Sequence, residues 1–249
     1  MKLRVKFRKF GPVRFIGHLD VMRFFQKAIR RAGIDVRYTT GFSPHQVMSF
    51  AAPLGVGLTS NGEYMDIEVN SMESCQNIME RLNQASVPGL EVISVRVLPE
   101  GAGNAMASVA AASYTVRFRE GREPAVEIVA VLPDFLAKEQ ILITKKTKKG
   151  SREVDLKPGI YRLEWSDGAF HMLVDASSGG NIKPVQIIEA MLADYGEVLQ
   201  ENALLITRED VYANAGTDKQ PELVPLDEIS ILPRSATDQT ADKIIADRQ

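Results

Sequence analysis

Three residues near the start of the chain carry side chains that exchange protons or orient them: His18, Asp20 and His45. His45 ends the run Gly41-Phe42-Ser43-Pro44-His45. Pro44 holds Ser43 in extended geometry, and Gly41 permits a turn, so His45 is displayed from a rigid corner. His18 stands where a helix begins, and the positive end of that helix favours a neutral imidazole. Two imidazoles beside arginines suit general acid–base work on a phosphodiester. The plainer reading is that His18 caps the helix and His45 bonds backbone in a turn. The residues alone leave both open.

The helix that follows is basic on one side. Leu19, Met22, Phe25, Ile29 and Ala32 recur at spacings of three and four, and Arg23, Lys27, Arg30 and Arg31 fall opposite. Arg14 and Arg37 flank it. With no acid four residues away inside the helix (Asp35 lies beyond Gly33), these cations form a stripe suited to a phosphate backbone. A solvated helix face is the ordinary alternative. A second basic cluster, Lys145, Lys146, Lys148 and Lys149, leads into Gly150-Ser151 and reads as a hairpin tip. The loop Ser177-Ser178-Gly179-Gly180-Asn181 precedes a helix that starts at Pro184. Such a loop can hold an anion on backbone N–H groups, but it lacks the lysine of a P-loop.

Charge is polarised along the 249 residues although the net is only −2. Met1 to Met48 holds eleven basic and two acidic residues, and Glu197 to Gln249 holds eleven acidic and five basic. That asymmetry points to a polyanion partner at the basic end. Cys75 is the only cysteine, so no intrachain disulfide and no multi-thiolate cluster can form. Three histidines and one thiol argue against a metal site, and no cofactor is expected on this chain. The start, Met-Lys-Leu-Arg-Val-Lys-Phe, has no signal-peptide core, and no stretch is apolar enough to cross a membrane. A cytoplasmic protein is expected.

Positioning these residues are alternating and helical segments in the order strand (Leu3–Phe7, resuming at Val13–Ile16), helix (Leu19–Ala32), strands (Ile34–Tyr38, Gln46–Ala51, Glu63–Val69), helix (Ser71–Ala85) and strand (Leu90–Leu98). This βαββαβ order predicts a ferredoxin-like α+β unit over residues 1–100 with an antiparallel sheet. Residues 101–112 read as a linker. Residues 113–212 repeat the outline as a second ferredoxin-like unit, and 213–249 read as an acidic, disordered tail.

"FIGHLDVMRFFQKAIRRAG" followed by "YTTGFSPHQVMSFAAPLGVGLTSNGEYMDIEV" resembles a bacterial domain of unknown function found fused to, or encoded beside, radical SAM proteins. "KKTKKGSREVDLKPGIY" and "SSGGNIKPVQIIEAML" extend the resemblance to about residue 210. The resemblance implies an accessory protein to a radical SAM partner. One cysteine cannot hold the required cluster, so the cluster chemistry would lie on that partner. The leading expectation is therefore a non-enzymatic RNA-binding accessory protein, acting on tRNA, rRNA or a ribosomal substrate. The alternatives are a metal-independent RNA endonuclease using His18 and His45, and a protein–protein adaptor without RNA.

Overall fold

Leu3, Val5 and Phe7 alternate along β1 (Lys2–Lys9) and point into a core, as the alternation predicts. Their neighbours break the pattern, because Arg4 and Lys9 are buried too. Both faces of this strand are covered. One face lies under α1 (His18–Arg31) and α2 (Cys75–Gln84). Over the other face lie chain segments from far along the sequence, in which Leu226 O accepts from Arg4 Nη1 at 3.0 Å and Ala102 O accepts from Lys2 Nζ at 3.1 Å. These are features of a computed structural model that describes residues 1–147, 150–217 and 220–229.

β3 (Thr59–Glu68) runs antiparallel to β1, and β4 (Leu90–Val97) pairs with the other edge of β1. β2 is only Met48–Phe50 and pairs antiparallel with β3. The second half contributes β5 (Ala111–Phe118), α3 (Ile128–Ala137), a separate hairpin of β6 (Leu142–Thr147) and β7 (Gly150–Asp155), then β8 (Ile160–Ser166), β9 (Ala169–Asp175), α4 (Pro184–Ala193) and β10 (Leu204–Asn214). A short β11 (Leu223–Pro225) pairs with β10. The result is an α+β fold built on one large mixed sheet, in the order β4-β1-β3-β10-β5-β9-β8.

The seam of that sheet is narrow. β3 gives one edge to β1 and shares the other between β2 and β10. Its ladder pairing with β10 is parallel and runs over Thr59↔Thr207 and Ser60↔Arg208. Gly62 is required there: a Cβ would lie 2.7 Å from both Asp210 Oδ1 and Glu209 O. Separate apolar cores form under α1 and α2 and under α3 and α4, and a small cluster including Ala51, Tyr64, Val211 and Leu226 sits where the halves meet.

Several expectations change. Val13–Ile16 does not continue β1, because Gly11 (φ 60°) and Pro12 turn the chain into a 3-10 helix over Gly11–Phe15. Ile34–Tyr38 forms only the isolated bridges Val36↔Val69 and Tyr38↔Gln46, since the loop between them bonds to itself and to α1. The expected linker ends early: Ala105 is buried, and Ala111 and Ala112 already belong to β5. Within the stretch expected to be a disordered tail, β10 continues to Asn214, residues 223–225 form β11 and Leu226 is wholly buried. Low apolar content misled there because three apolar residues are enough to cap the seam. Residues 230–249 lie outside the described residues.

Candidate functional site

α1 forms because its apolar residues recur once per turn, with Gly17 at its N-cap and Gly33 (φ 61°) just beyond its end. The buried positions are Val21, Phe25, Ala28 and Ile29, whereas Leu19 is exposed. On the outer face, Arg23, Lys27, Arg30 and Arg31 are exposed together, as the spacing predicts. The stripe is not wholly free of partners. Asp20 reaches Arg23 Nη1 at 3.4 Å from three residues away, and Arg31 Nη2 donates to Ala85 O at 2.7 Å. Lys27 and Arg30 make no ion pair among the described residues. Of the flanking arginines, Arg37 pairs with Glu68 at 3.0 Å, and Arg14 is half-buried with its guanidinium 4.7 Å from the ring centre of Phe15.

The loop after Arg37 stands beside this face. Thr39 N donates to His45 O at 2.8 Å and His45 N donates to Thr39 Oγ1 at 3.1 Å, which closes the loop at its base. His45 Nδ1 also lies 3.1 Å from Thr39 Oγ1. Gln46 is buried, and its Nε2 donates 3.1 Å to Gln26 O, which fastens the loop to the middle of α1. Gln26 precedes Lys27 and lies one turn before Arg30. At the tip Phe42 is fully exposed, and Tyr38 is exposed at the base.

His18 lies elsewhere. Its ring meets Phe50 edge-on at 5.2 Å and lines a small pocket with Lys9, Glu63, Ala52 and Leu54. Burial holds its pKa below the ordinary imidazole value; Glu63 opposes that shift and the Lys9 ammonium adds to it. Lys9 is shifted the same way, chiefly by burial, and Arg208 adds to it while Glu63 opposes it. Lys9 Nζ donates to Ile16 O at 2.9 Å, so it braces the entry to α1. Among the described residues no hydrogen bond or ring contact joins His18 to His45.

Beyond Glu63 lies the buried centre of the seam. Arg208 Nε donates to Glu63 Oε1 at 2.8 Å, a second bond joins Nη2 to Oε2, and Nη2 also donates to Ala52 O at 2.8 Å. Burial works against the Arg208 cation, and Glu63 and the Tyr114 hydroxyl more than restore it. Further along β3, Tyr64 Oη donates 2.6 Å to Asp210 and 3.0 Å to Asp227, and Lys6 Nζ donates 2.7 Å to Asp210. Burial and these two carboxylates push the phenol far above its ordinary range.

Ala52, Pro53 and Leu54 form a partition. On one side is the His18 pocket, and on the other a cleft of about 560 Å3 between the halves. Its far wall is Ala176–Ser178 with Asn181–Val185, and Tyr114 and Arg208 lie on its floor. The loop of that wall is tightly bound: Asp175 Oδ1 accepts from Ser177 N at 2.7 Å, and a Cβ on Gly180 would lie 2.0 Å from Asp175 Oδ2. Thus the two small-residue runs, near Ala51 and near Ser177, face one another although about 125 residues separate them.

Lys145 and Lys146 lie on β6 opposite Arg152 and Ser151, so the expected hairpin is present. Lys148 and Lys149, expected at a hairpin tip, lie outside the described residues. Among the described residues no three His, Cys, Asp or Glu side chains converge where a metal ion would be held, and no helix is long and apolar enough to cross a membrane. The sequence reading missed Glu63, Arg208, Tyr114 and Lys9. Glu63 opens a strand that alternates with acids, Lys9 lies beyond the strand expected over Leu3–Phe7, and Arg208 lies among the charged residues Arg208-Glu209-Asp210.

Fold and site together define an α+β protein with a charge-stapled seam, a cleft beside it and a basic helix outside it. Residues 2–184 match the family described as "Uncharacterized protein conserved in bacteria (DUF2344)", and the chain belongs to that family. No curated protein matches it. Among solved structures, a chain of the "Crystal Structure of a Cbf5-Nop10-Gar1 Complex" is similar at a TM-score of 0.47 and 10% identity. The match covers 84% of this chain and 48% of that one, and a likeness so distant carries nothing about function.

Proposed function

We propose that this protein is an RNA-binding accessory protein whose binding face is the outer side of α1 with the loop after Arg37. The observation that carries the reading is the Gln46–Gln26 bond, which fastens a loop tipped by the fully exposed Phe42 beside the unpaired cations Lys27 and Arg30. Cations that follow a phosphate backbone, next to aromatic rings on which unpaired bases stack, are the elements of single-strand recognition. Tyr38 and His45 add ring surface and a hydrogen-bonding group to the same loop. The arrangement adds nothing to the alternative of RNA cleavage by His18 and His45.

The motif resemblance around Phe15–Val69 supports a radical SAM enzyme as the partner, with the cluster on that enzyme and RNA held here. Strand order supports reading each half as a ferredoxin-like unit: β4-β1-β3-β2 in the first and β10-β5-β9-β8 in the second follow the same path.

The test is binding of a tRNA mixture and of single-stranded RNA across a salt series. The folded protein should bind, and Lys27→Glu with Arg30→Glu should weaken binding and flatten the salt dependence by about 0.7 to 0.9 per lost phosphate contact. A folded wild-type chain that binds neither RNA at low salt would overturn the reading and leave the adaptor alternative.

A further inference from the structure

The cleft behind the Ala52–Leu54 partition has no part in that reading, and its chemistry is specific. Its volume of about 560 Å3 is that of a small-molecule site. Pro53, Leu54, Leu58, Met106, Val109 and Ile206 make its walls largely apolar. Two cations, Arg208 and Lys183, are among the lining residues, and no carboxylate is. Two acids adjoining the lining residues are already bonded: Glu63 to Arg208, and Asp175 Oδ1 to the amide of Ser177 at 2.7 Å. Lys183 is exposed at the rim and makes no ion pair among the described residues. The hydroxyls of Ser177, Ser178 and Tyr114 and the Asn181 amide complete the polar side.

We propose that this cleft binds a small organic anion, with its apolar body on the wall around Leu54 and Met106 and its anionic group toward Lys183. Charge selects the sign of the ligand. A cation placed here would meet Lys183 with no counter-charge in the lining, whereas an anion seated on the apolar wall would pair with Lys183 at the rim. The walls come from both halves, so an occupant touches Pro53 from the first and Val185 from the second, and binding stabilises their present spacing.

The test uses 8-anilinonaphthalene-1-sulfonate, an apolar body with one sulfonate, against N-phenyl-1-naphthylamine, the same body without charge. Fluorescence titration of the native protein at neutral pH should show one saturable sulfonate site. Lys183→Glu should weaken the sulfonate about tenfold or more and leave the neutral amine within about twofold. Met106→Trp should fill the cleft and weaken both probes; Met106 is exposed, so the change spares the core. Val185→Trp closes the cleft from the opposite wall and gives a second variant with the same expected result, and near-UV circular dichroism reports that each variant is folded. Sulfonate binding unaffected by all three substitutions, or no saturable binding to the native chain, would overturn the proposal.

Discussion

Arg208 on β10 and Glu63 on β3 form a two-bonded ion pair across the seam where those two strands meet, with Nε 2.8 Å from Oε1 and both side chains buried. A buried pair of this kind costs much to separate and contributes less than its Coulomb attraction suggests, because both ions have lost water. Glu63→Gln should therefore destabilise the fold by about 3 to 5 kcal/mol, whereas Glu63→Leu with Arg208→Met should cost less than the single change. Urea unfolding of the three proteins measures this. A double variant as unstable as the single one would show that the pair is not the cause.

The segment after residue 219 is expected to be structural. Leu226 is wholly buried, its carbonyl accepts from Arg4, and Asp227 bonds both Lys6 and Tyr64. Leu226→Ala should lower stability by about 2 to 5 kcal/mol. Truncation after Thr217 should lower the melting temperature further, since it also removes Asp227, one of the two carboxylates bonded to Tyr64. A truncated chain that melts with the full-length one in calorimetry would contradict this.

RNA binding should separate into two components. Lys27 and Arg30 set the salt dependence, while Phe42 acts through stacking. Phe42→Ala should weaken single-stranded RNA binding by about 1 to 3 kcal/mol with an unchanged salt slope. Filter binding at several salt concentrations reads both quantities, and a slope that fell with Phe42 would assign the loop a different role.

Stability should fall on acidification through His18. Its imidazole is held below its ordinary value of about 6.5, so below that pH the unfolded chain takes up a proton that the folded chain resists. The contribution is fully present above about pH 6.5 and is lost as pH falls through the folded value. His18→Gln should remove part of the stability loss between about pH 7 and 5, as measured by urea unfolding at each pH. NMR titration of the His18 ring should place its pKa below about 6.5, and a ring that titrates above that value would refute the assignment.

Periodicity made the elements of the first half legible. α1 and β3 each repeat apolar residues at the spacing of their own geometry, and Ser74 caps α2 three residues later than Ser71, the cap expected from the sequence. The basic face of α1 was equally legible, because outward-facing charge follows from an inward-facing stripe. The seam was not. Thr207-Arg208-Glu209-Asp210 reads as a polar strand end, and only Glu63, Asn61, Tyr64 and Lys6, all more than 140 residues earlier, make it the middle of a strand. Local sequence cannot report burial that a distant partner supplies. The same holds for Leu223–Leu226, whose apolar character is diluted by polar neighbours until β10 is there to receive it.

The stapling of β1 by residues near 210 and 226 bears on the order in which the protein is made. Arg4, Lys6 and Tyr64 leave the ribosome early, and the sheet order β4-β1-β3 can assemble as soon as residue 97 has emerged. Yet Leu226 O, which caps the Arg4 guanidinium, and the carboxylates of Asp210 and Asp227 arrive last. At about 5 to 20 residues per second, the nascent first half waits several seconds with these polar groups open to water. During that interval the Thr59–Ser60 end of β3, later paired with β10, is an open strand edge available to other chains.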